Sequence, residues 1–222
     1  MSDPKRLFLL VIWALITLAG AGNSLAQEVL NPAPGDSELD KQVKAFLISQ
    51  KNKWRDLNVP ASDGEILYKI IVDKGYKQGL DIGTSTGHSA VWIAWAMSKT
   101  GGKLITIEID ESRHKQALAN FERAGLSKYI DARLANAHDL VKELKGPFDF
   151  VFSDADKDWY INYFKDVSAK LLPGGCFAAH NVYSTGRGMS GTREYLKYVQ
   201  ELKEYVTTVD NSGGGVAISY KK

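Results

Sequence analysis

A glycine-bracketed turn between two apolar segments most constrains what this chain can fold into. The stretch 79–96 reads GLDIGTSTGHSAVWIAWA, in which Asp81 ends the apolar approach and Gly83 and Gly87 bracket the turn. Glycine lets the backbone approach a ligand closely, and the free N–H groups at the start of a helix face whatever lies there. The pattern therefore predicts a strand, a tight turn and a helix that form one side of a ligand site.

The spacing of the glycines separates two ligand classes. A dinucleotide fingerprint G-x-G-x-x-G that began at Gly83 would need glycine where this chain has Ser85 and His88. The observed pattern is D-x-G-x-x-x-G, which resembles motif I of the class I S-adenosylmethionine (SAM) methyltransferases. A nicotinamide-dependent oxidoreductase is therefore a disfavoured alternative, and an ordinary strand–helix turn without a ligand is a second one.

Apolar segments alternate with amphipathic segments along the rest of the chain. Besides the strand before Gly83, we predict strands at KLITIEID (103–110), YIDARLA (129–135), FDFVFSD (148–154), GCFAAHN (175–181), YVTTV (205–209) and GVAISY (215–220). Helical patterns separate the first five strands, and the glycine-rich NSGGG joins the last two. This alternation predicts a doubly wound, Rossmann-like α/β fold, with a mostly parallel seven-stranded sheet and a C-terminal antiparallel hairpin.

The N-terminal region has the pattern of an export signal. Two basic residues precede an apolar run over 7–21, and the small residues Ser24 and Ala26 follow at the spacing of a cleavage site. We predict a signal peptide over 1–26, with an uncleaved membrane anchor as the alternative, so that the domain is exported or membrane-anchored. In either case the membrane is contacted only through this segment.

A linker and one helix precede the main domain. The capping-box pattern of Ser37 and Asp40 predicts a helix that runs to about Arg55, so 27–57 is assigned to linker and helix and 58–222 to the main domain. A chain of 222 residues, 44% of them hydrophobic, is long enough for one such domain. The formal net charge of +2 and the absence of long Lys/Arg runs argue against a nucleic-acid partner.

Side chains that can bind ligands or take part in catalysis lie where the predicted strands end. Asp81, Glu108, Asp154 and the pair His180 and Asn181 occupy such positions, and ligands of doubly wound sheets bind at the carboxyl ends of the strands. Glu108 follows one crossover unit after the glycine turn, where a carboxylate can accept hydrogen bonds from both ribose hydroxyls. A nucleoside-containing ligand is therefore predicted, with a solvated acid as the alternative reading of Glu108.

The segment SDADKDWY (153–160) crowds three carboxylates and a lysine at the end of a buried strand. Such crowding is unfavourable unless a cation or a substrate uses the charges. This segment is one of six short motifs that follow one another along the chain in a specific order. The others are NVPASDGEIL, LDIGTSTGHSA, ITIEID, LLPGGCFAAHNV and the glycine-rich hairpin. From about Asn58 to its C-terminus the chain resembles the cation-dependent catechol and caffeoyl-CoA O-methyltransferases.

The resemblance implies roles for individual residues. The positions that match SAM contacts are Val59, Asp81, Gly83, Ser89, Glu108, Ala137 and Asp156. Asp154 and Asn181 match two of the three ligands of a divalent metal, His180 stands at the position of the third, and Lys157 matches the catalytic general base. A small hydroxylated aromatic substrate and a homodimer are further implications of the resemblance.

His180 departs from the family pattern, which has an aspartate at this position. Mg²⁺ prefers oxygen ligands, whereas imidazole suits Zn, Mn or Fe better. Three interpretations stay open. In the first, Asp154, His180 and Asn181 form a metal site with an altered preference among Mg, Mn and Zn. In the second, the site is metal-independent and His180 is the general base. In the third, His180 only packs and forms hydrogen bonds.

The sequence thus predicts a SAM-dependent O-methyltransferase that acts on a hydroxyl of a small, catechol-like aromatic. The predicted export signal conflicts with the cytoplasmic supply of SAM, so an exported, non-catalytic protein of the same fold stays an alternative. The identity of the substrate is not predicted, because the loops that set specificity carry no transferable pattern.

Overall fold

A seven-stranded sheet runs through residues 29–54 and 56–222, the part of the chain that the computed structural model describes. The strands are β1 (Gln78–Ile82), β2 (Lys103–Glu108), β3 (Ile130–Leu134), β4 (Phe148–Ser153), β5 (Leu171–His180), β6 (Tyr205–Asp210) and β7 (Val216–Lys221). Their order is β3-β2-β1-β4-β5-β7-β6. The first five strands pair in parallel, and β7 pairs antiparallel with β5 and β6. The predicted fold class is confirmed.

Helices cover both faces of this sheet. They are α1 (Glu38–Ser49), α2 (Ala61–Lys74), α3 (His88–Thr100), α4 (Glu111–Arg123), α5 (Ala137–Glu143), α6 (Tyr160–Ser168) and α7 (Ser190–Glu201). Successive strand residues point to opposite faces. Accordingly Phe150 and Phe152 of β4 pack into the core formed with α1 to α4, whereas Val151 packs into the core formed with α5 to α7.

Helix α3 is buried along most of its length, because α1, α2 and the sheet surround it. All residues from His88 to Met97 are buried. The indole N–H of Trp95 donates to Asp40 of α1 over 2.8 Å, and Lys99 forms an ion pair with the same carboxylate. Although burial opposes ionisation, hydrogen bonds from Lys99, Ser37 and Trp95 outweigh it and hold the pKa of Asp40 well below its usual range. The N-terminal helix is therefore tied to the helix that follows the glycine turn.

Two element boundaries differ from the sequence prediction. The capping box of Ser37 and Asp40 is confirmed, but α1 ends at Ser49, and Asn52 has a positive φ of 64° that a helix cannot continue. The helix that precedes the fifth strand ends at Ser168, and β5 already begins at Leu171, four residues before the strand predicted over 175–181. The pairing of β4 with β5 shifts register between Phe148 and Phe150, so the exposed segment around Pro173 forms a bulge that needs no ladder hydrogen bond.

The signal peptide or anchor predicted for 1–26 lies outside the described residues. Over 29–54 and 56–222, no helix is both long and apolar enough to cross a membrane.

Candidate active site

The carboxyl ends of the central strands open onto a cavity of about 340 Å³. Its lining includes five of the residues predicted from the sequence, namely Gly83, Glu108, Ala137, Asp154 and Asp156. They lie at the carboxyl ends of β1, β2, β3 and β4 or shortly after them, because parallel strands all end at the same edge of the sheet. The cavity thus unites residues that are far apart in sequence.

Glu108 is held in place by the backbone around it. Its Oε2 accepts the N–H of Ser85 over 2.7 Å, and its Oε1 accepts the N–H groups of Ile109 and Asp110 over 3.0 and 2.9 Å. The residue is only 6% exposed, but it lines the cavity. Three of the roughly four acceptor positions of this carboxylate are used, so one position on Oε2 stays available to a ribose hydroxyl.

Close packing explains the glycine at position 83. Gly83 has φ +106°, and a Cβ there would lie 2.8 Å from the backbone N of Ala155. Ser85, two residues later, also has a positive φ of 49°, and its buried Oγ has no hydrogen-bond partner among the described residues. Ser85 lines the cavity and was not predicted as a site residue. Its unpaired hydroxyl suits a polar ligand group.

Asp81 lies behind the turn, fully buried, and does not line the cavity. Its Oδ2 accepts hydrogen bonds from Thr106 Oγ1 at 2.8 Å and Ser89 Oγ at 3.3 Å, while Oδ1 has no partner in the described part of the chain. Burial raises the pKa of Asp81 to about 8, and the hydrogen bond from Thr106 offsets only part of that effect. Asp81 therefore supports the turn from behind, and its role as a contact of SAM stays a prediction.

Val59 also lies outside the cavity lining, buried beside His88. His88 Nδ1 lies 2.8 Å from the carbonyl oxygen of Val59, and Nε2 accepts the indole N–H of Trp92 over 3.1 Å. Burial lowers the pKa of His88 to about 4, so the ring is neutral and donates from Nδ1. The ring also stacks on Trp54 at 4.4 Å. His88 therefore fixes the backbone at Val59 and is not itself a ligand group.

An aromatic wall closes the other side of the cavity. His138, which lines the cavity, stacks on Trp159 with ring centroids 4.2 Å apart, and its Nε2 lies 3.2 Å from Asp156 Oδ2. Leu57 and Ile109 line the cavity and are 72% and 67% exposed. Flat and apolar groups of this kind suit a purine ring. Sequence reasoning assigned no role to Leu57 or Ile109.

Asp154 and Lys157 lie together where β4 ends. Lys157 Nζ forms an ion pair with Asp154 Oδ1, donates to the Asp154 carbonyl over 3.1 Å and donates to Tyr160 Oη over 2.9 Å. All three N–H bonds of the ammonium group are therefore directed at oxygen atoms. Asp154 Oδ2 forms no hydrogen bond within the described residues. Asp154 lines the cavity, whereas Lys157 does not.

His180 contacts Asp154 from the opposite side. Its Nδ1 lies 3.1 Å from Asp154 Oδ1, and its Nε2 lies 2.8 Å from Oδ2 of Asp63, a fully buried residue of α2. Burial would lower the pKa of His180, but the hydrogen bonds and charges of Asp154 and Asp63 outweigh it and raise the pKa to about 9. The ring thus lies between two carboxylates. Asp63 was missed by sequence reasoning.

The predicted metal ligands each contact other groups of the protein, and the metal site stays a prediction. Both ring nitrogens of His180 face carboxylates, and Asn181 Nδ2 lies 3.4 Å from the carbonyl of Gly214. Throughout the residues that the structure describes, no group of three or more His, Cys, Asp or Glu is arranged to hold a metal. His180 Nδ1 makes no hydrogen bond within the described part of the chain, although it lies near Asp154, and no step is derived through a metal.

The doubly wound sheet, the glycine turn between two acid-ended strands and the cavity above them define the class I SAM-dependent methyltransferase fold. The chain belongs to the O-methyltransferase family, whose model matches residues 33–211.

Individual O-methyltransferases are similar to this chain in sequence and in structure. The chain is 35% identical to a catechol O-methyltransferase of Niastella koreensis over 150 residues, which are 64% of this chain and 67% of that protein. It is 29% identical to caffeoyl-CoA O-methyltransferase 2 of Zea mays, over 86% of this chain and 74% of that protein. The O-methyltransferase TomG of Streptomyces achromogenes, solved in complex with SAM, matches with a TM-score of 0.67 and 26% identity over 85% of this chain and 91% of TomG.

Proposed function

We propose that this protein transfers a methyl group from SAM to a hydroxyl of a small, catechol-like aromatic. The observation that carries the proposal is that Asp154 shares one cavity with Gly83 and Glu108, so an acceptor at Asp154 adjoins the cosubstrate position. Relatives named for catechol and caffeoyl-CoA support a hydroxylated aromatic as the acceptor.

The residues divide the cavity into two regions. Glu108 would hold the ribose and the Gly83 turn would lie against the methionine part, with His138 and Ile109 beside the adenine. SAM, when bound, supplies a sulfonium methyl whose C–S bond breaks as the new O–C bond forms. The departing thioether is neutral at sulfur, so the hydroxyl proton is the one charge that the protein has to remove.

Asp154 and Lys157 are the groups placed to remove that proton. The acceptor hydroxyl would donate to the free Oδ2 of Asp154. Lys157 would act as the base only in its amine form, after one ammonium proton has passed to solvent, and the hydroxyl proton would then restore the ammonium. A positioned base contributes roughly 10²- to 10⁴-fold to such a reaction. The cavity walls also hold the acceptor close to the transferred carbon, which is a further source of rate.

The test is methyl transfer by the full chain, with methyl-labelled SAM and a panel of catechols, flavonoids and monophenols. We expect a labelled methyl ether from at least one vicinal diol, and saturable binding of SAM but not of NAD in calorimetry. SAM binding without transfer to any acceptor would favour the non-catalytic alternative. Binding of NAD alone would remove the basis of the proposal.

A pair of lysine variants separates catalysis from folding. Lys157→Met should lower kcat roughly 100-fold or more while SAM binding stays within about twofold, because Lys157 lies outside the cavity lining. Lys165→Met is the matched control, since Lys165 lies on α6 over the ring of Tyr198. Equal activity in the two variants would contradict a catalytic role for Lys157.

Export through the segment 1–26 and homodimerisation stay predictions. Fractionation of cells that express the full chain, with protease protection, tests the first. Sedimentation velocity of the purified protein tests the second.

A further inference from the structure

Residues 56–59 (the strap) connect the glycine turn to α4 on one side of the cavity. Leu57 of the strap, Ile109 and Arg113 of α4 all line the cavity. Leu57 and Ile109 are 72% and 67% exposed. Two large apolar side chains that line one cavity and are mostly exposed mark a surface that a ligand can cover.

One end of the strap is anchored to the glycine turn and to the start of α3. Asn58 Nδ2 donates to Thr86 Oγ1 of the turn over 3.0 Å. The carbonyl oxygen of Val59 lies 2.8 Å from His88 Nδ1, and Val59 is buried. This end of the strap is therefore fixed to the framework of the cavity.

An ion pair at the surface holds the other end of the strap to α4. Arg113 Nε donates to Asp56 Oδ2 over 2.6 Å, and the two side chains are 33% and 36% exposed. The hydrogen bond from Arg113 lowers the pKa of Asp56, so both groups are charged at neutral pH. An exposed ion pair is weak and is screened by salt, so it can open without leaving a charge buried.

Helix α4 is itself bonded to the framework of the cavity. Its N-cap Asp110 accepts the N–H of Arg113 over 2.8 Å, and Asn120 on the same helix donates to the carbonyl of Thr86 over 2.9 Å. Because these contacts hold the helix to the glycine turn, opening of the Asp56–Arg113 pair would move the strap and leave the helix in place.

We propose that Leu57 covers the adenosine part of bound SAM and that the Asp56–Arg113 ion pair is the latch that holds this cover in place. The proposal rests on the proposed function, which assigns SAM to this cavity. Asp56 is a positioning residue, since it does not line the cavity and acts through Arg113 and Leu57. The latch slows entry and exit of SAM alike, because the ligand passes the strap in both directions.

Asp56→Asn in the full-length protein removes the ion pair and keeps an oxygen for the N–H of Leu57, which Asp56 Oδ1 accepts over 2.8 Å. We expect the association and dissociation rate constants of SAM both to rise roughly 2- to 5-fold, as for the loss of one exposed ion pair, with Kd within about twofold. Stopped-flow tryptophan fluorescence at increasing SAM concentration measures both rate constants, because Trp54 precedes the strap and stacks on His88. Calorimetry measures Kd. An unchanged association rate with a weakened Kd is the result of a damaged site and would overturn the proposal.

Asp131→Asn is the matched control. Asp131 forms another exposed ion pair with Arg133 on β3, and neither residue lines the cavity. This variant loses the same charge as Asp56→Asn, so its rate constants for SAM should equal those of the wild type. Equal acceleration in the two variants would assign the effect to net charge and overturn the latch.

Arg113→Gln tests whether Asp56 acts through this partner. Since Arg113 lines the cavity, Arg113→Gln alone can change the affinity for SAM directly. In the Arg113→Gln background, however, Asp56→Asn should no longer change either rate constant. A full 2- to 5-fold acceleration in the double variant, relative to Arg113→Gln, would overturn the role given to the pair.

Salt tests the latch without relying on the folding of a new variant pair. Between about 0.05 and 0.5 M NaCl, screening should bring the rate constants of the wild type close to those of Asp56→Asn. A ratio between the two proteins that stays constant over this range would contradict an ion pair as the latch.

Leu57→Ala tests the cover itself. Loss of apolar contact with the ligand should weaken SAM binding roughly 3- to 10-fold, mainly through faster dissociation. Leu118→Ala is the control, since Leu118 lies on α4, is 45% exposed and does not line the cavity. Equal Kd values in the two variants would overturn the role given to Leu57.

These measurements use SAM without an acceptor, so their outcome is separate from that of methyl transfer. Rate constants that respond as expected in a protein that methylates no acceptor would support the latch and contradict the proposed function. Methyl transfer to a catechol, with identical SAM rate constants in the wild type and Asp56→Asn, would overturn the latch alone.

Discussion

Replacing Gly83 by alanine tests whether the turn works through close backbone packing. Alanine at a left-handed φ costs about 1–2 kcal/mol, and overpacking a dense site costs about 1–3 kcal/mol more. Both terms apply at Gly83, where φ is +106° and a Cβ would lie 2.8 Å from Ala155 N and 3.0 Å from the Asp154 carbonyl carbon. These are backbone atoms, which cannot move aside as a side chain can. We expect Gly83→Ala to lower the free energy of unfolding by about 2–5 kcal/mol.

Gly101→Ala is the matched control for this prediction. Gly101 ends α3, the helix that follows the same turn, and it also has a positive φ of +75°, but a Cβ there would meet nothing within 4 Å. Gly101→Ala should therefore lose only the strain term, about 1–2 kcal/mol. The difference between the two variants, about 1–3 kcal/mol, isolates the packing against the loop after β4.

Urea unfolding and calorimetry provide the two readouts. The extra loss should lower the melting temperature of Gly83→Ala by roughly 2–12 °C relative to Gly101→Ala, from about 2–4 °C per kcal/mol for a chain of this size. SAM affinity should fall in Gly83→Ala and stay within about twofold in Gly101→Ala, because only Gly83 lines the cavity. Equal stability and equal affinity in the two variants would refute the packing argument.

Three further predictions concern buried acids. Glu108→Gln should weaken SAM binding roughly 10- to 100-fold, as expected for hydrogen bonds to a charged group, and a change in the calorimetric Kd of less than twofold would show that the ribose is bound elsewhere. The pKa of Asp81 is raised to about 8 in the fold, so its contribution to stability is present below its ordinary pKa of 3.8 and is lost as pH rises through about 8. The free energy of unfolding should thus fall across that window in the wild type and much less in Asp81→Asn, and parallel curves in urea unfolding would contradict the assignment. The pKa of Asp40 is instead lowered, so the stability it contributes is present above 3.8 and lost as pH falls. Asp40→Ala should cost roughly 1–3 kcal/mol at neutral pH by leaving an indole N–H unpaired, and the deficit should shrink in acid.

The sheet and a third of the residues that line the cavity could be predicted, because their signals are local. Apolar strands that end in Asp81, Glu108 and Asp154 mark the carboxyl edge by themselves, and the glycine spacing at Gly83 indicates the turn. These features depend on neighbours within a few residues. The fold brings such strand ends together without further information from side chains.

Asp63 could not be predicted for the opposite reason. It stands in the first turn of α2, where acids are common because they complement the helix dipole, so nothing in the sequence marks it as buried. Its partner His180 is 117 positions away. The interpretation of His180 as a metal ligand or a base used only the residues near it. A contact with a second carboxylate, which changes the chemistry of the ring, appears only in the folded structure.

The hydrogen bond from Gly214 to Asp63 spans 151 positions of the chain. During synthesis, the ribosome produces Asp63, the glycine turn and all five parallel strands before the hairpin β6–β7. A nascent chain can therefore form most of its sheet while His180 and Asp63 still lack the loop that packs against them. The reacting groups can reach their final arrangement only when the last strand pair has left the ribosome. The active site is therefore completed after most of the sheet can already have formed.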